Sequence, residues 1–200
     1  AYTNRAVDEM CSAALEIIEE NSLIRIGSRY AVHQDFRHYL LEEVSMQFNS
    51  RALLLDHLQK TRLYAATVAS ILGKKELFDV KQFDILIIDE ASQILEPHII
   101  GLLPLFKRVI FIGDHLQLPA VSVQDESQSI ILNQELLQAG FRSTSESLFE
   151  RLWKQCVVKE LEHCIGMLQS QGRMHLEIMD IVNQLFYQSK LEVMNRDKNG

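Results

Sequence analysis

The chain has 200 residues, 47% of them hydrophobic, and a formal net charge of -7 at pH 7. That length and apolar content build one good core, or one domain and the start of another, and they exclude a disordered chain. No apolar run approaches the roughly 18 residues that span a membrane, and the acidic balance argues against a module that holds nucleic acid on a broad basic face.

The first predicted element is a helix running from Arg5 through Cys11, with apolar residues continuing at Ala14, Ile17 and Ile18; Thr3 or Asn4 is placed to cap it. Leu23 to Gly27 reads as a short strand closed by glycine. From His33 to about Lys60 the pattern is helical, with Phe36, Tyr39, Leu40, Val44, Phe48, Leu53, Leu54 and Leu58 as expected buried positions. Its three histidines read as surface or satisfied side chains. Leu63 to Ser70 reads as a buried strand entering a hydroxyl-rich turn. The cysteines, Cys11, Cys156 and Cys164, lack any Cys-x-x-Cys spacing. This fits a reducing intracellular compartment, cytoplasm or nucleus, better than a disulfide scaffold or a zinc site.

The most informative stretch runs from Phe83 to Pro119. Its apolar runs, Ile85 to Ile88 and Val109 to Ile112, are short, β-branched and not alternating, as expected of strands buried on both faces of a parallel sheet. Each run ends in acid: Asp89-Glu90 after the first, Gly113-Asp114 after the second. Open α/β sheets bind their ligands just past the carboxyl ends of their strands. Adjacent carboxylates at an apolar rim cost several kcal/mol if dry and unpaired, so they imply a cation, a proton or water. A magnesium-bound nucleotide supplies the cation; an Asp ending a strand holds Mg²⁺ while a neighbouring acid orients the attacking water, roles that Asp89 and Glu90 fit. Pro97 is expected to start a short helix in the crossover between the two strands.

Ser122 to Gly140 is polar and reads as an exposed insertion with a short helix at about Ile130 to Leu137. Ser145 to Trp153 gives a capped amphipathic helix. Leu168 to His175 precedes a helical run from Ile178 to Tyr187, and the chain closes on the polar run Asn195 to Gly200.

Asp89-Glu90-Ala91-Ser92-Gln93 followed by Gly113-Asp114-His115-Leu116-Gln117-Leu118-Pro119 resembles motifs II and III of superfamily 1 helicases. The branch is the 1B type, which includes the RNA helicase of nonsense-mediated decay and its DNA-acting relatives. Thr3-Asn4-Arg5-Ala6-Val7-Asp8 resembles motif Ia, Thr67 and Ser70 resemble the motif Ic contacts, and Ser147 to Leu152 is similar to a helical segment of the family. Gln171-Gly172-Arg173-Met174-His175 resembles the Gln-aromatic-Arg-Met-His-Pro motif that opens the second motor domain. Gly172 stands there for the aromatic residue and Leu176 for the proline, and glycine loosens the backbone beside the arginine.

The resemblance implies an α/β, RecA-like P-loop NTPase domain with a parallel sheet and helices on both faces, truncated at both ends. Residues 1–165 would form the first motor domain, with a helical insertion at about 33–60, and residues 166–200 the start of a second. No Gly-x-x-x-x-Gly-Lys-[Ser/Thr] occurs in the chain, so it is expected to be a fragment without the phosphate loop and to hydrolyse little ATP by itself. The implied activity is an ATP-dependent helicase or translocase with ATP and Mg²⁺ as cofactors, acting on single-stranded DNA or RNA, DNA slightly favoured. Asp89 would hold the metal and Glu90 the attacking water. Gln117 would sense the γ-phosphate, Asp114 would couple that site to the nucleic-acid groove, and Gln171 and Arg173 would complete the nucleotide site. Thr3, Asn4, Thr67 and Ser70 would touch the strand. Two rivals stand beside this reading. One is a degenerate ATPase kept as a nucleic-acid-binding or protein-interaction module. The other is a metal-dependent hydrolase using Asp89, Glu90 and Asp114 without a nucleotide.

Overall fold

The computed structural model describes residues 1–194, so the polar run Asn195 to Gly200 lies outside the described residues. The chain divides into two compact units, one from Ala1 to Arg151 and one from Leu152 onward.

The first unit opens with α1 (Asn4–Leu15). Of the two candidates Thr3 is the cap: its hydroxyl accepts the amide of Ala6 at 3.2 Å. β1 (Leu23–Ile26) pairs in parallel with β2 (Leu63–Ala66), Leu23 opposite Leu63. The chain between them carries a 3-10 turn at Gln34–Tyr39, then α2 (Leu41–Ser45) and α3 (Arg51–Lys60); α4 (Val68–Leu72) and α5 (Glu76–Val80) follow β2. Alternation along β1 sends its side chains to two different cores. Leu23 packs with Val7 and Cys11 of α1 and with Tyr39, whereas Ile24 and Ile26 pack with Leu58 of α3 and Leu77 of α5. Each such buried aliphatic side chain stabilises the fold by about 1.5 to 3 kcal/mol. Tyr39, Leu40, Val44 and Leu58 are buried as expected, but Leu53 is exposed. On α3 the stripe toward the strands is Leu54 and Leu58, four residues apart, and Leu53 falls off it.

β3 (Phe83–Ile88) and β4 (Phe106–Phe111) form a second parallel pair, Leu86 opposite Val109. An aromatic cluster ties them to the first pair: the Phe83 ring meets Tyr64 of β2 edge-on at 5.0 Å and Phe78 of α5 at 5.5 Å. The expectation that these strands are buried on both faces is corrected here. The register sets Ile87 beside Ile110 on one face, with Ile85 on the same side, and these three are 47%, 42% and 48% exposed. The unbroken β-branched run therefore reflects one packed face and one that no described element covers. β2 and β3 are not hydrogen-bonded to each other. Between them lies an apolar cavity of about 180 Å³ whose lining includes Ala1, Tyr64, Ala66, Leu86 and Ile88. Ala1 runs beside the end of β2, donating to the Ala66 carbonyl at 3.1 Å and accepting from the Val68 amide at 3.2 Å.

The crossover from β3 to β4 is built of 3-10 turns, and Pro97 sits in the first turn of one of them, Glu96–His98, as expected. Glu96 is buried and held by Arg151, whose Nε and Nη2 donate to its two oxygens at 2.8 and 2.6 Å. The same guanidinium lies 4.0 Å from the centre of the Phe141 ring. The polar stretch after β4 carries α6 (Glu126–Ser129) and α7 (Gln134–Gln138). α7 starts later than the sequence suggests because Asn133 caps it, accepting from Leu136 at 3.1 Å. α8 (Leu148–Val158) begins at Leu148 because the cap is Ser147, not Ser145; its hydroxyl accepts from Glu150 at 3.2 Å.

In the second unit β5 (Ser170–Gln171) and β6 (Glu192–Val193) pair in parallel around α9 (Leu176–Phe186). Asn183 of α9 fixes the return to β6, exchanging two hydrogen bonds with the backbone of Leu191 at 2.9 and 3.0 Å. Among the described residues no helix is long and apolar enough to cross a membrane.

Candidate functional site

Because β3 and β4 are parallel neighbours, their carboxyl ends lie on one edge, and the two acidic loops begin there. The ladder continues one step past each strand: Ile112 donates to Ile88, and Ala91 donates to Ile112, both at 2.8 Å. Between those bonds the backbone turns at Glu90, whose φ of 54° and ψ of 37° lie in the left-handed region. A non-glycine residue there costs on the order of 1 kcal/mol or more, and such strain concentrates at functional sites. The turn leaves Asp89 half-buried at the strand end and Glu90 exposed on the rim. Gln93 donates to the Glu90 carboxylate at 3.3 Å.

The second loop is set directly against the first. A Cβ on Gly113 would fall 2.9 Å from the Ser92 nitrogen and 3.2 Å from that of Ala91, closer than real contacts allow, so glycine is needed for the approach. The buried Ser92 hydroxyl then accepts the Asp114 amide at 3.3 Å. Asp114 organises its own loop, accepting the Leu116 amide at 3.0 Å and the Gln117 side-chain amide at 2.9 Å. Asp89, Glu90, Asp114 and Gln117 thus stand on one rim. The linkers Ser92 and Gly113 carry no role in the sequence reading; their signal was only that both lie inside the acidic motifs.

Among the described residues no three His, Cys, Asp or Glu side chains converge to hold a metal by themselves. Magnesium is commonly held by one or two carboxylates, with phosphates and water completing the shell. The donor set at Asp89 therefore fits a metal that arrives with a nucleotide and does not fit a self-sufficient metal centre.

The hydroxyl and amide side chains lie at the same edge of the first strand pair. Thr67 is buried and caps α4, accepting the Ser70 amide at 3.1 Å, with its hydroxyl 2.8 Å from that of Ser70. Thr3 is exposed and Asn4 half-buried. Behind Asn4 lies a group that in the sequence is only one residue of an apolar strand. Arg25 of β1 is 0% exposed, and its Nε and Nη2 donate to Asp8 at 3.1 Å and Asn4 at 2.9 Å. Asp8 also accepts the His33 amide at 3.0 Å. A charge inside an apolar strand demands such partners, which is the signal that would have exposed it.

In the second unit Gln171 holds the turn that follows it. Its side-chain oxygen accepts the amides of Arg173 at 3.0 Å and Met174 at 2.7 Å, and its nitrogen donates to the Met174 carbonyl at 3.1 Å. That clamp pins the backbone where Gly172 was expected to loosen it. The Arg173 side chain is exposed.

Two family models, both described as an AAA domain, match the chain, one at residues 45–125 and the other at residues 144–199. The chain is 33% identical over 193 residues to the DNA replication ATP-dependent helicase/nuclease DNA2 of Bos taurus, an alignment covering 96% of this chain and 16% of that protein. It is 32% identical over 193 residues to the Homo sapiens protein of the same name, again covering 96% of the chain and 16% of the relative. An uncharacterized ATP-dependent helicase of Methanocaldococcus jannaschii is 34% identical over 120 residues, 59% of the chain and 15% of that protein. The chain thus spans about a sixth of the length of these relatives.

Proposed function

This chain belongs to the superfamily 1 helicases, and we propose that it is part of an ATP-driven, intracellular motor that moves on single-stranded nucleic acid, DNA ahead of RNA. The fold proposed for residues 1–165 is correspondingly a RecA-like motor domain with a parallel sheet, and the chain from residue 166 onward is proposed to begin another. The observation that carries the reading is the junction of the two acidic loops, in which Gly113 and Ser92 lock Gln117 and Asp114 onto the same rim as Asp89 and Glu90.

In this reading Asp89 would hold the Mg²⁺ that travels with ATP, and the ion would supply positive charge to the transferred phosphoryl group. Glu90, exposed on the rim and hydrogen-bonded by Gln93, accepts the proton of the attacking water. Gln117, tethered through Asp114, reads the γ-phosphate and passes its presence along the loop. Arg173, its backbone fixed by Gln171, supplies the planar cation expected of the second motor domain. Thr3, Asn4, Thr67 and Ser70 face the sugar-phosphate backbone, whose oxygens carry no sequence information. The cattle and human relatives are named for DNA replication and for ATP-dependent helicase action, which supports the reading.

The test is ATP hydrolysis by the full-length protein, with and without single-stranded DNA or RNA, beside the Glu90→Gln variant. Stimulation by a strand that falls by about 10² or more in the variant supports the motor. A protein that binds strands and never turns over ATP is instead the degenerate binding module.

A further inference from the structure

Resting on the strand-binding reading above, we propose that Arg25 is a positioning residue that fixes Asn4 as a hydrogen-bond donor to the phosphate backbone. A guanidinium has five N–H donors and no acceptor. Its Nη2 meets Asn4 at 2.9 Å, so the Asn4 amide turns its oxygen toward Arg25 and its NH₂ away from it. The reversed amide would set N–H against N–H at a fully buried cation, which the low local dielectric makes costly. Among the described residues nothing else bonds to the Asn4 side chain, so its NH₂ stays available at a half-buried place beside the exposed Thr3. Phosphate oxygens accept and never donate, and a fixed donor suits them.

Arg25 itself has nowhere to turn. Its Nε is taken by Asp8 at 3.1 Å, its Nη1 by the Ile26 carbonyl at 2.5 Å, and the other Asp8 oxygen is held by the His33 amide at 3.0 Å. Three separate acceptors meet Nε, Nη1 and Nη2, a set that the fixed fork of a guanidinium satisfies and a lysine ammonium does not. The same aspartate and asparagine both belong to α1, so β1 and the first turn of that helix are coupled through one side chain. The grip on the strand is thereby set from inside the protein, by a residue that never touches nucleic acid.

The experiment uses the full-length protein, labelled oligo-dT and oligo-U strands read by fluorescence anisotropy, and thermal unfolding. Asn4→Asp keeps an acceptor for Arg25 and removes the donor. It is expected to bind both strands at least about tenfold more weakly, with a Tm equal to or above that of the unsubstituted protein. Arg25→Lys keeps the charge and loses the fork. The strand concentration for half-maximal ATP hydrolysis is expected to rise about tenfold while kcat at saturating strand is retained. Unchanged affinity in Asn4→Asp overturns the proposal, as does an Arg25→Lys protein that loses Tm without any shift in half-saturation. Weakening confined to oligo-U also overturns it, since the acceptor would then be the 2′-hydroxyl. All of these leave the motor reading intact. That reading fails by a different sign, the absence of strand-stimulated hydrolysis in the unsubstituted protein.

Discussion

Glu90 sits at a φ of 54°, and the reaction proposed for it requires a carboxylate at that strained position. Glu90→Gln should leave the unfolding free energy from urea titration within about 0.5 kcal/mol of the starting value, because the amide suits the left-handed region no worse. Glu90→Val, whose branched Cβ resists that region, should cost about 1 to 2 kcal/mol in the same titration. The pair separates a chemical loss from a folding loss. Gly113 is the mirror case: Gly113→Ala places a methyl 2.9 Å from a backbone nitrogen that cannot swing aside, so the loops part. A loss of about 1 to 3 kcal/mol by urea unfolding is expected, together with loss of hydrolysis. Cys11 gives a pH signature. Burial pushes its thiol up from the ordinary 9.0 to about 11, so it stays protonated in the folded protein while the unfolded thiol ionises. Its contribution is intact below pH 9 and fades as the pH rises through 11. Urea titrations over that interval should show stability falling, and Cys11→Ala should flatten part of the fall.

At the scale of elements, two ion pairs of similar geometry should behave oppositely. Glu96 is buried and Arg151 largely so, and the pair joins the crossover to α8, so Arg151→Met strands a carboxylate in the interior. A loss of about 3 to 5 kcal/mol is expected from thermal unfolding. Asp84 and Lys107 face each other across β3 and β4 in open water, and Lys107→Ala should leave the Tm unchanged. The lysine holds the Asp84 carboxyl below the usual carboxylate range, yet solvent screens the pair. These elements were legible to different degrees. β3 and β4, the crossover proline and the caps at Thr3 and Thr67 follow from local chemistry written within a few residues. The exposed face of Ile85 and Ile87 was not legible, because an apolar strand reads alike whether or not a neighbour covers it. Nor was the start of α8, where Ser145 and Ser147 are equally good caps and packing decides.

Across the whole molecule, the acidic rim was readable from sequence because its residues sit in two short runs. The Arg25 cluster was not, because Asn4, Asp8 and Arg25 are brought together only by the pairing of strands and helix. The same register carries a consequence in time. Closing β1 on β2 must bring Leu23 to Leu63, whereas closing β3 on β4 brings Phe83 only to Phe106. The longer closure costs about 0.5 kcal/mol more in chain entropy, and it must also strip water from Arg25 before Asp8 and Asn4 can compensate. In refolding followed by pulse-labelled hydrogen exchange, the amides of β3 and β4 should therefore gain protection ahead of those of β1 and β2. The edge proposed for the nucleotide would be in place while the edge proposed for the strand is still forming.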